Sequence, residues 1–176
     1  MKKIIGLLFA VLFSAGLYAQ EEVIKFLGIP VDGTKQEMIE KLKSKGFTYN
    51  QQKDVLEGEF NGEKVGIMVV TQNNKVWRLY IYDETSRSEG QIKIRFNKLV
   101  GQFENNGKYT PIKKIQTIDE NEDISYEISI HDKQYQAVFV SETLGIVWFM
   151  ICTEGSGYYI AMYYDTQKNK ADGSDL

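Results

Sequence analysis

Residues 55–71 read Val-Leu-Glu-Gly-Glu-Phe-Asn-Gly-Glu-Lys-Val-Gly-Ile-Met-Val-Val-Thr. Two β-rich runs, Val55–Phe60 and Lys64–Thr71, flank Asn61-Gly62. An Asn-Gly pair supplies the two left-handed residues of a type I′ turn, so this stretch predicts an antiparallel hairpin. Asn73-Asn74 then turns the chain into a third run, Val76–Tyr82. Such short intervals admit only antiparallel neighbours, because a parallel pair needs a long crossover.

The same pattern returns further along the chain. Asp123–His131, Gln134–Ser141, Ile146–Thr153 and Tyr158–Asp165 read as strands, separated by Asp132-Lys133, Leu144-Gly145 and Gly155-Ser156-Gly157. Val23–Ile29 is a further candidate strand. Two amphipathic helices interrupt the strands. Thr34-Lys35-Gln36-Glu37 is a capping box, followed by an apolar stripe of Met38, Ile39 and Leu42, with Gly46 and Phe47 placed for a Schellman ending. Ser88-Glu89-Gly90-Gln91 opens a second helix, in which Ile92, Phe96, Leu99, Val100 and Phe103 share one face. Asn105-Asn106-Gly107 closes it, and Pro111 prevents its resumption. Two helical stripes and one sheet face have to be buried, so the expected architecture is α+β, a two-layer sandwich with two helices on one face of a largely antiparallel sheet. Each helix precedes a hairpin whose later strand carries Val-Trp, Val76-Trp77 and Val147-Trp148, which makes an internal αβββ duplication one reading and shared strand vocabulary the other.

Upstream of the domain stands an address. Lys2-Lys3, the apolar run Ile4–Phe13 and the small residues ending at Ala19 form a secretory signal peptide, with cleavage expected between Ala19 and Gln20. The rival reading is a retained anchor, but Ile4–Ala19 is 16 residues, short of the roughly 20 that span a bilayer. The expected organisation is therefore a signal over 1–19, one α+β domain over 20–166 and a disordered tail over 167–176. The mature protein is expected in the periplasm or outside the cell, with no membrane span.

Composition excludes several activities. The 176 residues hold 21 Lys+Arg and 24 Asp+Glu, a formal charge of −3 that becomes −5 once Lys2 and Lys3 are removed. Nucleic-acid binders need clustered cations, so none is expected as a partner. A single Cys cannot form an intramolecular disulfide, and a single His cannot supply a two-imidazole metal site. Neither a metal nor a cofactor is expected. Asp119, Asn121 and Asp123 match the first ligand positions of a calcium loop, but Ile124 and Ile130 stand where Gly and Glu are required. That acidic run reads as a solvated turn.

Further likeness is carried by Phe26-Leu27-Gly28-Ile29-Pro30-Val31-Asp32-Gly33-Thr34, by Lys45-Gly46-Phe47, by Gly58-Glu59-Phe60-Asn61-Gly62, and by Tyr164-Asp165 with Lys168-Asn169. With its lysine-led signal, the chain resembles a family of small secreted proteins of gut Bacteroidetes. It departs from that family's Lys-Tyr-Gly-x-Pro turn in reading Lys108-Tyr109-Thr110-Pro111. The resemblance implies fold and export, and implies no activity. The helix-then-meander order is also similar to the folds of β-lactamase-inhibitor proteins and small outer-membrane-assembly lipoproteins, which are binding modules; this is a likeness of fold alone.

Two candidate sites remain. Cys152 and His131 are the available nucleophile and base, for a small secreted hydrolase using that pair or carboxylates. Both fall in expected strands, and Cys152, alternating with Trp148 and Met150, is expected to point into the core as a small hydrophobe. The second candidate is aromatic. The chain has 11 Tyr, 9 Phe and 2 Trp, and Tyr158-Tyr159 and Tyr163-Tyr164 put tyrosine on both faces of one strand. Either both faces are covered, or the outer face exposes rings and binds something. Trp148, Tyr159 and Tyr163 are the ligand-binding candidates on that reading, with no catalytic residue. The partner would be a protein or a glycan of the cell envelope, or a second copy in a homodimer.

Overall fold

The structure, a computed structural model, describes residues 23–143 and 145–170. The expected signal peptide lies outside the described residues. The described residues form three helices and an eight-stranded antiparallel sheet, with a two-stranded ribbon beside them.

The ribbon pairs β1 (Lys25–Phe26) with β2 (Ile29–Pro30) around Leu27-Gly28, both at positive φ. Helix α1 (Lys35–Lys43) begins at the expected capping box. Glu37 N–H donates to Thr34 Oγ1 at 3.3 Å, and Thr34 N–H donates to Glu37 Oε2 at 2.8 Å. It ends in the Schellman arrangement: Phe47 N–H donates to Leu42 O, Gly46 N–H donates to Lys43 O, and Gly46 sits at φ +97°. A meander of β3 (Thr48–Asn50), β4 (Val55–Phe60), β5 (Glu63–Gln72) and β6 (Lys75–Asp83) follows. Asn61 and Gly62, at φ +54° and +76°, form the β4–β5 turn as a type I′ signal requires.

Helix α2 (Glu89–Glu104) buries Ile92, Phe96, Leu99, Val100 and Phe103. It is followed by β7 (Tyr109–Pro111), α3 (Ile124–His131), β8 (Gln136–Ser141), β9 (Gly145–Glu154) and β10 (Gly157–Thr166). The sheet order is β3-β4-β5-β6-β10-β9-β8-β7. Each half is therefore a helix and four strands in meander order, with α3 inserted between β7 and β8 in the second, and β6 and β10, the final strand of each, pair at the centre. The repeat exists in topology, but not on the Val-Trp signature: Trp77 lies on β6 and Trp148 on β9, which are not equivalent strands.

One face of this sheet is covered. α1 packs on the first meander and α2 on the second, and a single apolar cluster runs through both halves. Phe96, Phe103, Phe139 and Phe149 form its aromatic centre under α2, with ring centroids 5.0–6.1 Å apart. Where β6 leaves the sheet for α2, the buried Asp83 carboxylate accepts from Arg87 Nη1 at 3.0 Å and from Arg95 Nε at 3.2 Å. Glu63 also pairs with Arg87. This ionic cluster ties β5, β6 and α2 together.

Three expectations are corrected. Residues 123–131 are not a strand. The Ile-Ser-Tyr-Glu-Ile-Ser-Ile alternation has a period of two, but Ile124 and Ile128 are the inward pair, at helical spacing, while Tyr126 and Ile130 are exposed. Asp123 caps this helix by accepting from Tyr126 N–H at 2.8 Å, and Asp132 closes it at φ +50°. His131 is thus at a helix end, and the described residues hold three helices. The expected tail is also shorter at its start. Lys168 Nζ donates to Asp32 Oδ2 at 2.7 Å, and Asn169 Nδ2 donates to Asp32 Oδ1 and to Val76 O, each at 2.8 Å. The Asp32-Gly33 and Lys168-Asn169 segments, far apart in sequence, therefore meet. The third correction concerns Cys152 and belongs to the site.

Candidate functional site

Strand alternation sends Leu79 and Ile81 of β6 and Ile160, Met162 and Tyr164 of β10 to the helices. The residues between them face the other way, where no helix of the described residues lies. On this open face the strand register builds one continuous row across five strands: Met68 on β5, Tyr80 on β6, Tyr163 on β10, Trp148 on β9 and Val138 on β8. Directly paired positions hold side chains within reach of one another. The Trp148 and Tyr163 rings stack at 3.8 Å and 9°. Tyr80 stacks on Tyr163 at 5.0 Å and on Tyr82 at 5.5 Å, each at 30°. Tyr82 in turn lies over Gly66, where a Cβ would come within 2.3–2.7 Å of its ring and hydroxyl. The missing side chain is what lets the tyrosine lie against β5.

One end of the row is finished by an ion pair. Arg78 forks onto Asp165 (Nε–Oδ1 2.7 Å, Nη2–Oδ2 2.6 Å), and Trp148 Nε1 donates to Asp165 Oδ2 at 3.2 Å. Asp165 is only 5% exposed, so these donors replace water around its charge. The Arg78 guanidinium also lies 4.4 Å from the Trp77 ring centroid and 4.9 Å from that of Tyr163. A register shift on β5 between Val70 and Thr71 leaves Trp77 as the extra residue of a bulge, which brings its ring beside Arg78.

Near the other end, the Tyr80 hydroxyl interacts with that of Tyr159, and Tyr159 with the Cys152 thiol. Burial raises the Tyr80, Tyr159 and Tyr163 hydroxyls above their ordinary pKa. It also raises the Cys152 thiol, against a smaller opposing contribution from Tyr159. These groups are therefore protonated at neutral pH.

The structure brings Trp148, Tyr159 and Tyr163 together on this face. Cys152, Trp148 and Met150 do share a face, as their alternation implies, but it is the open one and not the core. The core positions of β9 are Val147, Phe149 and Ile151. Cys152 and His131 are not brought together: His131 meets Glu127 at 3.1 Å and the Tyr126 ring on α3, while Cys152 meets Tyr159 on the open face. Sequence reasoning missed Arg78, Tyr80, Tyr82 and Asp165. The signal was available as Arg78-x-Tyr80-x-Tyr82 alternating with Leu79 and Ile81, a strand with an aromatic face opposite an aliphatic one.

Among the described residues no group of three or more His, Cys, Asp or Glu is placed to hold a metal ion, and no helix is long and apolar enough to cross a membrane. Comparison with family models, with curated proteins and with solved structures returned no match.

Proposed function

We propose that this protein is an exported, non-catalytic binding module of the cell envelope, and that its open sheet face takes another protein. The observation that carries this reading is the cross-strand row Met68–Tyr80–Tyr163–Trp148–Val138, which no helix of the described residues covers, on an eight-stranded sheet whose other face is buried. Met68, at one end of the row, is 38% exposed. Contiguous apolar surface of this kind is unusual on a solitary soluble protein. Its composition of Trp, Tyr, Met and a single Arg is also that of interface hot spots, which are depleted in Lys, Glu and Asp. Export rests on residues 1–19, outside the described residues.

Ring geometry favours a protein over a glycan. A sugar stacks its C–H face on an open ring face. Here Trp148 and Tyr163 are closed onto each other, and Tyr80 is stacked on both Tyr163 and Tyr82. The row offers ring edges, hydroxyls and a thioether, which suit the mixed surface of a protein. The alternative hydrolase loses its nucleophile–base pair to the separation of Cys152 from His131.

The test is co-purification from envelope extract, with cross-linking, using the wild type, Tyr159→Ala, Tyr163→Ala and Met68→Glu, each checked by circular dichroism. A protein partner captured by the wild type and lost by all three folded variants supports the reading. A partner retained by all three overturns it. Binding to a glycan array that fails in the same variants, without a protein partner, replaces protein by glycan. A dimer in light scattering that Met68→Glu dissociates replaces it by a second copy.

A further inference from the structure

The central pair of strands makes the two ends of the ring row equivalent by position and different in content. β6 and β10 run antiparallel about the Tyr80–Tyr163 pair. A residue two before Tyr80 therefore corresponds to the residue two before Tyr163, and likewise two after. Arg78 corresponds to Ala161, and Tyr82 to Asp165. At the Arg78 end the fold supplies its own guanidinium, set against the Trp77, Trp148 and Tyr163 rings and forked onto a carboxylate. At the Ala161 end it supplies a methyl group.

In place of a cation, that end holds a cavity of about 360 Å³. Tyr80, Tyr82 and Tyr159 wall it, and Lys53, Glu84 and Glu154 stand at its rim. Lys53 is engaged with Glu57 at 3.1 Å. Glu84 and Glu154 are exposed and carry no ion pair among the described residues. Tyr80 is stacked on both Tyr163 and Tyr82, so the wall offers tyrosine hydroxyls and ring edges, and the attraction for a cation comes from the two carboxylates at the mouth. The one cation of the lining, Lys53, is paired with Glu57 and also feels Glu84, so the rim carries more negative than positive charge over an aromatic wall.

We infer that this cavity receives an arginine side chain presented by the partner protein, which does from outside what Arg78 does from within. The inference rests on the reading of the open face as a binding surface and adds the chemistry of one contact to it. The planar guanidinium suits the site because its several N–H groups can reach tyrosine hydroxyls and carboxylates at once.

The probe is N-acetyl-arginine amide, titrated into the full chain while the Tyr80, Tyr82 and Tyr159 ring resonances are followed by NMR. N-acetyl-citrulline amide, neutral and nearly isosteric, is the control. The arginine compound is expected to shift those three resonances saturably, and the citrulline compound to bind at least tenfold more weakly. Glu84→Gln/Glu154→Gln, at exposed positions, should weaken the arginine compound at least fivefold. Equal binding of the two compounds, shifts confined to other residues, or indifference to Glu84→Gln/Glu154→Gln overturns the inference. A partner lost on Tyr163→Ala but held by Glu84→Gln/Glu154→Gln removes the arginine contact and leaves the open-face reading standing. Saturable arginine binding with a partner indifferent to Tyr163→Ala removes that reading and leaves the cavity's chemistry.

Discussion

Trp148 and Tyr163 face each other across β9 and β10 with their rings 3.8 Å apart and 9° from parallel. Aromatic pairs are worth about 0.5–1.5 kcal/mol beyond the area they bury. A double-mutant cycle of Trp148→Ala and Tyr163→Ala, read by chemical denaturation, is therefore expected to return a coupling energy of about 1 kcal/mol. Strict additivity would show that the stack contributes shape without energy.

Asp32 should make the fold sensitive to acid. Burial pushes its carboxyl up, but hydrogen bonds from Lys168, Asn169 and the Gly33 N–H outweigh this and hold its pKa at about 2, below the ordinary 3.8. A carboxylate with a depressed folded-state pKa contributes stability above its unfolded value, and loses it as pH falls through the folded one. The contribution is complete above about pH 5 and gone below about pH 2. Its size is about 1 kcal/mol after discounting for partial exposure. Asp32→Asn should be less stable than the wild type by that amount at pH 7, and the two denaturation curves should converge near pH 2.

The Asp83 carboxylate, 6% exposed, answers two guanidinium groups. Asp83→Asn keeps the volume and leaves Arg87 and Arg95 short of a counter-charge. Breaking a buried pair from one side costs about 3–5 kcal/mol. Denaturant titration should show a loss at the lower end of that range, since Glu63 remains to pair with Arg87.

Cys152 should be a sluggish thiol. Its raised pKa and its place beside Tyr159 leave little thiolate at pH 8. Modification by a chromogenic disulfide is expected to be at least ten times slower in the native protein than in guanidinium. Equal rates would place the sulfur in open water and revive it as a nucleophile.

Local signals carried the parts of the fold that local chemistry decides. The Thr34 capping box, the Gly46-Phe47 ending and the Asn61-Gly62 turn each specify a backbone conformation within a few residues, and each stands where its letters put it. The 124–130 segment went astray because its isoleucines satisfy both a period of two and, at Ile124 and Ile128, a spacing of four. The cap at Asp123 and packing against α2, where Ile124 N–H donates to Glu89 Oε1 at 3.0 Å, decide in favour of the helix. Edge strands β3 and β7 are three residues each, too short to carry a pattern.

For the open face the obstacle is different. β9 reads Ile-Val-Trp-Phe-Met-Ile-Cys from 146 to 152, apolar on both sides. Alternation groups Trp148, Met150 and Cys152 together, but is silent about which group the helices cover. That is settled by partners remote in sequence, such as Phe149 against Phe96 and Trp148 against Asp165. The surplus of tyrosine pointed to the face, while the residues that organise it, Arg78 and Asp165, lie 87 positions apart.

The order in which the chain is made is not the order in which its sheet is laid out. β10 follows every other described element in time, yet it takes a place in the middle, between β6 and β9. Until it emerges from the ribosome, the first meander ends in a bare strand, and β9 lacks its inner neighbour. The chain therefore has no native half-way sheet that seals both strands. The two meanders are joined into one sheet only when the last strand is in place.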